Sequence, residues 1–218
     1  MNEQKSFDFL PTSTPLSIET AMDKLHGLVG RDLRPLADFY GIRVGTDKRK
    51  NKGWAGQTVE AFLGQSPNSD RGADFGDWEL KVVPLMLTPD DRFRVKESMA
   101  IGMFRPEELE AEGFAQSHLA AKMSSMVVVA RHFDPDGENC SIVVQVVRFE
   151  LENSPLRDAI QEDYEEIRWV LRNQGIDALG GHLGTWIQPR VKGGANNAQR
   201  GFAFYARSQF VAHLLGLA

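Results

Sequence analysis

The chain has 218 residues, 42% of them hydrophobic and 25% charged, with a formal net charge of -5. That balance fits one ordinary soluble globular unit with a real core, and it excludes collagen-like, mucin-like and broadly disordered chains. Taken whole, 30 acids against 25 bases argue against a polyanion as partner.

Residues 1–15, with Pro11 and Pro15 among Ser and Thr, read as a flexible arm. Ser17 is a plausible N-cap, and Ile18, Met22, Leu25 and Val29 follow at helical spacing up to Gly30. Asp32 caps a second short helix running to Tyr40, and Trp54–Leu63 forms a third, ended by Gly64. The Gly, Ser, Asn, Asp and Pro content of residues 65–76 predicts a loop, and Asp77–Leu85 then alternates as a strand. Further strands are expected at Ser98–Phe104, Met126–His132 and Ser141–Phe149, the last two joined by an Asp134–Gly137 turn. Residues 155–173 make a charged helix with Ile160, Tyr164, Ile167 and Leu171 along one side. A Gly-rich stretch leads into Thr185–Arg190, and Phe202–Arg207 precedes a last helix, Ser208–Leu215. The pattern predicts an α/β or α+β chain with a central mixed sheet.

One cysteine, Cys140, excludes an intrachain disulfide and a cysteine-based zinc site. Preceding an apolar run, it reads as a buried structural thiol. No apolar run reaches the roughly 18 residues of a membrane span. The polar start has no signal-peptide core, so a cytoplasmic protein with no membrane partner is expected.

The charges are unevenly spread. Between Arg43 and Lys52 five bases, including Lys48, Lys50 and Lys52, face the single acid Asp47. After Asp177 no acid occurs, and Arg190, Lys192, Arg200 and Arg207 follow. Each segment is therefore +4, which leaves -13 for the rest of the chain. An acidic body with two basic strips can hold DNA along one face; an ordinary solvated charge run is the plainer alternative for either strip.

The stretch Ala73-Asp74-Phe75-Gly76-Asp77-Trp78-Glu79-Leu80-Lys81-Val82 carries the most chemistry. Strand alternation puts Trp78, Leu80 and Val82 on one face and Glu79 and Lys81 on the other. Asp74, arriving just before the strand, brings a second carboxylate to the same edge. Two carboxylates and a lysine suit metal-assisted phosphodiester hydrolysis: Asp74 and Glu79 offer hard oxygen ligands to Mg²⁺, and Lys81 orients a water, serves as base or offsets developing charge. Asp70 and Asp77 are rivals to Asp74, although Asp77 shares the strand parity of Glu79. The plainer reading is a surface strand with a Glu–Lys pair on its solvated face. The histidines at 26, 118, 132, 182 and 213 show no metal-ligand spacing.

More of the chain follows one pattern. The run Lys50-Asn51-Lys52-Gly53-Trp54-Ala55-Gly56-Gln57-Thr58-Val59-Glu60, then Asp74-Phe75 and Glu79-Leu80-Lys81, resembles the MutH-type endonucleases, a family of mismatch-repair nicking enzymes and related type II restriction endonucleases. Ser117-His118 with Lys122, Gln188-Pro189-Arg190-Val191-Lys192, and Gly201-Phe202 with Phe204-Tyr205 continue it in order, over roughly residues 16–218. The resemblance implies a restriction-endonuclease-like PD-(D/E)xK core, a single domain of two lobes with DNA in the cleft between them. It places catalysis in the lobe containing residues 43–132 and recognition elements in 178–218. It implies Asp74, Glu79 and Lys81 as the catalytic triad and Glu60 as a further acid near the metals. It also implies Lys122 as a DNA-contacting base, Arg190 and Lys192 as a recognition loop, and Tyr205 as a sensor of adenine methylation. On chemistry alone, Arg190 suits a bidentate contact with guanine and Lys192 suits phosphate, whereas Phe202, Phe204 and Tyr205 also fit a plain core strand.

The expected activity is Mg²⁺-dependent, sequence-specific cutting of double-stranded DNA to leave 5′-phosphates, with Mn²⁺ able to substitute. Restriction-type cleavage is favoured over methyl-directed nicking, because the motifs are recognisable but diverged from the repair pattern. A catalytically idle DNA-binding module is the rival from another class. The expected further partners are a second copy of the chain on DNA or, for a repair enzyme, mismatch-repair proteins.

Overall fold

The computed structural model describes residues 16–44, 51–65, 73–134, 140–192 and 201–217. The expected arm at 1–15, Lys48 and Lys50 of the basic strip, Asp70, and most of the Asp134–Gly137 turn lie outside them.

The chain opens with three short helices, α1 (Ile18–His26), α2 (Leu33–Phe39) and α3 (Trp54–Phe62). Ser17 caps α1 by accepting from the Thr20 amide, and Asp32 caps α2 by accepting from the Arg34 amide. Helix α1 stops at His26, short of the expected Gly30. The reason is tertiary: Val29 bridges to Val143, and the Gly30 amide donates to the Val143 carbonyl.

Strands β1 (Glu79–Leu87), β2 (Phe93–Val95), β4 (Ser125–His132) and β5 (Val143–Glu150) form a four-stranded sheet in the order β2-β1-β4-β5. Strand β1 runs parallel to β4 and antiparallel to β2, so this is the expected central mixed sheet. Both of its faces are covered, and Met126 to Ala130 are all fully buried. On one face α1, α2 and α3 pack against Leu80, Val127, Val129 and Val146. On the other, Val83, Leu85, Val128 and Ala130 meet the long helix α6 (Arg157–Gln174) and the last helix α7 (Ser208–Leu214). Ile160, Tyr164, Ile167 and Leu171 of α6 enter that core together, as their spacing predicts.

The remaining strands leave the central sheet. β3 (Met99–Phe104), β6 (Ile187–Lys192) and β7 (Gly201–Ala206) make a separate antiparallel sheet in the order β3-β7-β6. Phe104, Phe202 and Phe204 stack on its inner face, with ring centroids 4.4–5.8 Å apart. Two helices missed in the sequence, α4 (Pro106–Ala111) and α5 (His118–Met123), link β3 to β4. Pro106 followed by Glu107 and Glu108 is an ordinary helix-start signal that could have revealed α4. Helix α5 packs on β3 at Gly102, where a Cβ would make ordinary contacts of 3.5–3.6 Å with His118 and Lys122 side-chain atoms.

Cys140 is partly exposed rather than buried, its Sγ 4.0 Å from His132 Nδ1. The β5 run begins after it, at Val143: the amide of buried Ser141 donates to the α2 cap Asp32, and the Ile142 carbonyl accepts from His132 at the end of β4. Among the described residues, no helix is long and apolar enough to cross a membrane.

Candidate active site

The sequence Ala73–Gly76 folds into a tight turn at the head of β1. The Gly76 amide donates to the Ala73 carbonyl, and Gly76 has φ 85°, a conformation glycine adopts without Cβ strain. Phe75 and Trp78 stack at 4.1 Å with their planes 7° apart, and Trp78 Nε1 donates to the Leu16 carbonyl. This aromatic plug fixes the turn, and the turn swings Asp74 back onto the strand. The Leu80 amide donates to Asp74 Oδ2 (3.2 Å), and the Asp74 amide donates to Glu79 Oε2 (3.3 Å). Asp74 therefore stands beside Glu79, while Asp77 is exposed.

The expected strand parity holds on one side. Trp78 and Leu80 are buried against the helices. Glu79 and Lys81 do point the other way, but that face is not solvated. Glu79 is only 2% exposed. Its carboxylate takes Lys81 Nζ at 2.5 Å on one oxygen and Lys122 Nζ at 2.7 Å on the other. Lys122 reaches this position from α5 and is itself buried. Two ammonium groups on one carboxylate show that this pocket is built to concentrate positive charge around Glu79.

Glu60 projects from α3, which packs on β1, and it is close enough for its charge to act on Asp74 and Glu79. Burial, and then the Asp74 carboxylate, push the Glu60 carboxyl above its ordinary range. Burial, and then the Glu79 carboxylate, do the same to Asp74. Acids held partly dry and near one another favour a proton or a cation between them. Among the described residues, no three acids, histidines or cysteines form a preformed metal cage. The donor set is instead Asp74 with Glu79, with Glu60 near by. That set fits a small hard divalent ion, which takes one or two carboxylates and keeps its other positions for water and phosphate oxygens.

A measurable consequence follows from the two raised carboxyls. Because their folded-state affinity for protons exceeds the unfolded one, stability is highest when they are protonated. It is lost as pH rises from the ordinary carboxylate range through their raised values. At neutral pH a divalent cation should offset that loss. Mg²⁺ or Mn²⁺ at about 100 times its Kd should raise the thermal midpoint by roughly 5–10 °C near pH 7.5, and by much less near pH 4, where protons compete. Asp74→Asn should raise the metal-free midpoint and remove most of the metal response. A metal response unchanged in Asp74→Asn would show that the ion sits elsewhere.

The other predicted residues fall on the second sheet. Arg190 and Lys192 are exposed on β6, and Tyr205 is opposite Gln188 on the neighbouring strand β7. The Arg190 guanidinium lies 4.7 Å from the Tyr205 ring centroid and Lys192 Nζ lies 5.3 Å from it. Of the three aromatics at the end of β7, Phe202 and Phe204 are core residues and Tyr205 alone turns outward. Lys52, at the end of the basic strip, is exposed just before α3.

Several residues at these sites carry no signal in the sequence. Asn51 orders the approach to α3: its Oδ1 accepts from the Gly53 amide and its Nδ2 donates to Gln57 Oε1. Ser98, from the loop before β3, contacts both Gln188 and Arg190. Asp163, inside α6, accepts from the Thr185, Trp186 and Ile187 amides at 2.6–2.9 Å and so holds the start of β6. Ser98 and Asp163 depend on partners far away in the chain, which no local pattern announces.

The chain is also similar to known proteins. Residues 63–163, which hold the whole Asp74–Lys81 motif and Lys122, match the family model described as "DNA mismatch repair enzyme MutH". A DNA mismatch repair protein MutH of Vibrio cholerae serotype O1 (strain O395) is 27% identical over 224 residues, covering 92% of this chain and 96% of that protein. The one from Shewanella sp. (strain MR-7) is 25% identical over 194 residues, covering 86% and 83%. A solved structure titled "Restriction endonuclease MvaI-cognate DNA substrate complex" is 11% identical, with a TM-score of 0.37, covering 84% of this chain and 95% of that one. On the family match and these relatives, the chain is similar to the MutH DNA mismatch repair proteins, and the similarity supports a DNA endonuclease acting on phosphodiester bonds.

Proposed function

We propose that this protein is a Mg²⁺-dependent, sequence-specific endonuclease that cuts double-stranded DNA and leaves 5′-phosphates, with Asp74, Glu79 and Lys81 as its catalytic residues. The observation that carries the proposal is the folding of Asp74 onto the head of β1, which joins two carboxylates and a lysine at one strand end. When bound, the divalent ion supplies polarisation of the phosphate and a more acidic water. Asp74 and Glu79 hold it through their oxygens, and Glu60 adds a third negative group at the edge of the site. Lys81, already seated on Glu79, presents its ammonium beside the scissile phosphate and offsets the charge that builds on the non-bridging oxygens. Lys122 balances Glu79 from the opposite side and contributes positive potential for the DNA backbone. Arg190, Lys192 and Tyr205 form the recognition face, and the basic strip containing Lys48, Lys50 and Lys52 holds phosphates. DNA binding by these bases should be strongly salt-dependent.

One site of this kind cuts one strand. Restriction-type cleavage then takes two chains, or two successive incisions. A specific observation favours the second reading, methyl-directed strand nicking: the relatives matched over most of this chain carry the name DNA mismatch repair protein MutH. Digestion of unmethylated, hemimethylated and fully methylated plasmid, with the ends sequenced, separates the two. Nicks confined to the unmethylated strand support the repair reading, and linear product with matched breaks supports the restriction reading. Plasmid that stays supercoiled across a range of enzyme, Mg²⁺ and Mn²⁺ concentrations overturns both and leaves an idle DNA-binding module.

A further inference from the structure

Arg190 is an exposed residue on a strand edge, yet its guanidinium is tethered along one side. Ser98 Oγ accepts from Arg190 Nη2 at 3.0 Å. Gln188, two residues earlier on β6 and only 4% exposed, satisfies all its neighbours in one amide orientation. There its nitrogen donates to the Gly181 carbonyl (3.1 Å), while its oxygen accepts from Ser98 Oγ (3.1 Å) and from Arg190 Nη2 (2.9 Å) and Nε (3.3 Å). Tyr205 supports the guanidinium with its ring. The Gly181 carbonyl that anchors Gln188 is fixed in turn by Arg207 Nη2 at 2.7 Å. The chain of contacts thus runs from the rigid 180–187 loop, through a buried amide, to an exposed cation.

We infer that Ser98 and Gln188 are specificity-determining positioning residues, which hold Arg190 in one preset orientation for reading a guanine edge. The inference rests on the endonuclease reading above. The physical reason is entropic. A free arginine side chain loses much of its rotamer entropy when it is fixed on a base, and one already fixed loses little. The bonds from Ser98 and Gln188 use the Nε–Nη2 edge and leave Nη1 to lead the approach to a base. A preset arginine also discriminates better, because it cannot swing to another acceptor when the guanine is replaced. Neither residue reaches the metal-binding carboxylates, so their effect belongs to recognition and not to the chemical step.

The test compares wild type, Ser98→Ala and Ser98→Thr. The substrates are the preferred site found by digestion and versions with each of its guanines replaced. Ser98→Ala should lower the ratio of cutting at the preferred site to cutting at the best guanine-replaced site by about tenfold, the size expected for one loosened base contact. The change should appear in KM, with kcat at saturation and thermal midpoint near wild type. Ser98→Thr keeps the hydroxyl and should restore the ratio. In the DNA-free protein, the Arg190 Nε–H resonance should be slow to exchange in wild type and Ser98→Thr and fast in Ser98→Ala. Wild-type discrimination in Ser98→Ala, or an equal loss on every substrate, overturns the inference and leaves the endonuclease reading standing. A wild-type protein that cuts no DNA overturns the endonuclease reading, and a role in specificity falls with it.

Discussion

Glu79→Gln should lower the rate of DNA cleavage by on the order of 10³-fold or more, while DNA binding without metal becomes tighter. The first effect follows from removing one of the two carboxylates that suit the ion. The second follows from where the lysines are. In the structure Lys81 and Lys122 both spend their charge on Glu79, at 2.5 and 2.7 Å. Neutralising that acid removes a negative group from the path of the phosphate and loosens the hold on the Lys81 ammonium, which then meets it. Lys81→Ala should lose on the order of 10²–10³-fold in kcat with binding nearly unchanged, since one preorganised charge is removed from the reacting phosphate. Single-turnover cleavage and fluorescence anisotropy, with Ca²⁺ or without metal, read the two properties separately. Full cutting by Glu79→Gln would sink the triad assignment. Weaker binding by Glu79→Gln would show that Lys81 does not turn to DNA when Glu79 is neutralised.

Asp163→Ala should destabilise the fold by about 3 kcal/mol or more, because it strips the acceptor from three backbone amides in a buried place. Asp163 is 6% exposed and sits on the inward side of α6, among Ile160, Tyr164 and Ile167. It receives the Thr185, Trp186 and Ile187 amides. Around it the loop is tied down elsewhere: Arg207 donates to the Gly181, Leu183 and Gly184 carbonyls, and the Gly184 amide donates to Glu166. Gly184 has φ 69°, and a Cβ there would meet the Ile187 carbonyl at 2.0 Å, so the loop admits no side chain at that point. The exposed neighbour Glu162→Ala is the control and should stay within about 0.5 kcal/mol of wild type. Urea unfolding measures both. If Asp163→Ala matched Glu162→Ala, the carboxylate would not be what anchors β6. Asp163→Asn keeps an oxygen acceptor for part of the set and should fall between the two.

Much of this molecule could be read along the chain. Ser17 and Asp32 announce their helices because a cap is a local contact, made within three residues of the helix start. Tyr164 and Ile167 face the core because a helix repeats every 3.6 residues whatever it packs on. The alternation Trp78-Glu79-Leu80-Lys81 separates a core face from a chemical face for the same reason, and Asp74, Glu79 and Lys81 were legible as a unit. Other features were not. Nothing near Val29 shows that β5 will capture the chain and end α1 early. The plainer alternative, a solvated face around Glu79, fails because Lys122 covers it from α5, a helix with no strong local signal.

The opening charge count shows the same division. By itself, the sequence determined that an acidic chain with two basic segments carries an acid–acid–lysine motif at the head of a strand, since spacing and residue type are local properties. Only the tertiary structure decided what those charges do. It turned two lysines inward onto Glu79, set Arg190 and Lys192 outward over Tyr205, and tied Arg190 to Ser98 across 92 residues of chain. Burial and distance set the strength of every one of those interactions, and both come into being only when remote segments pack.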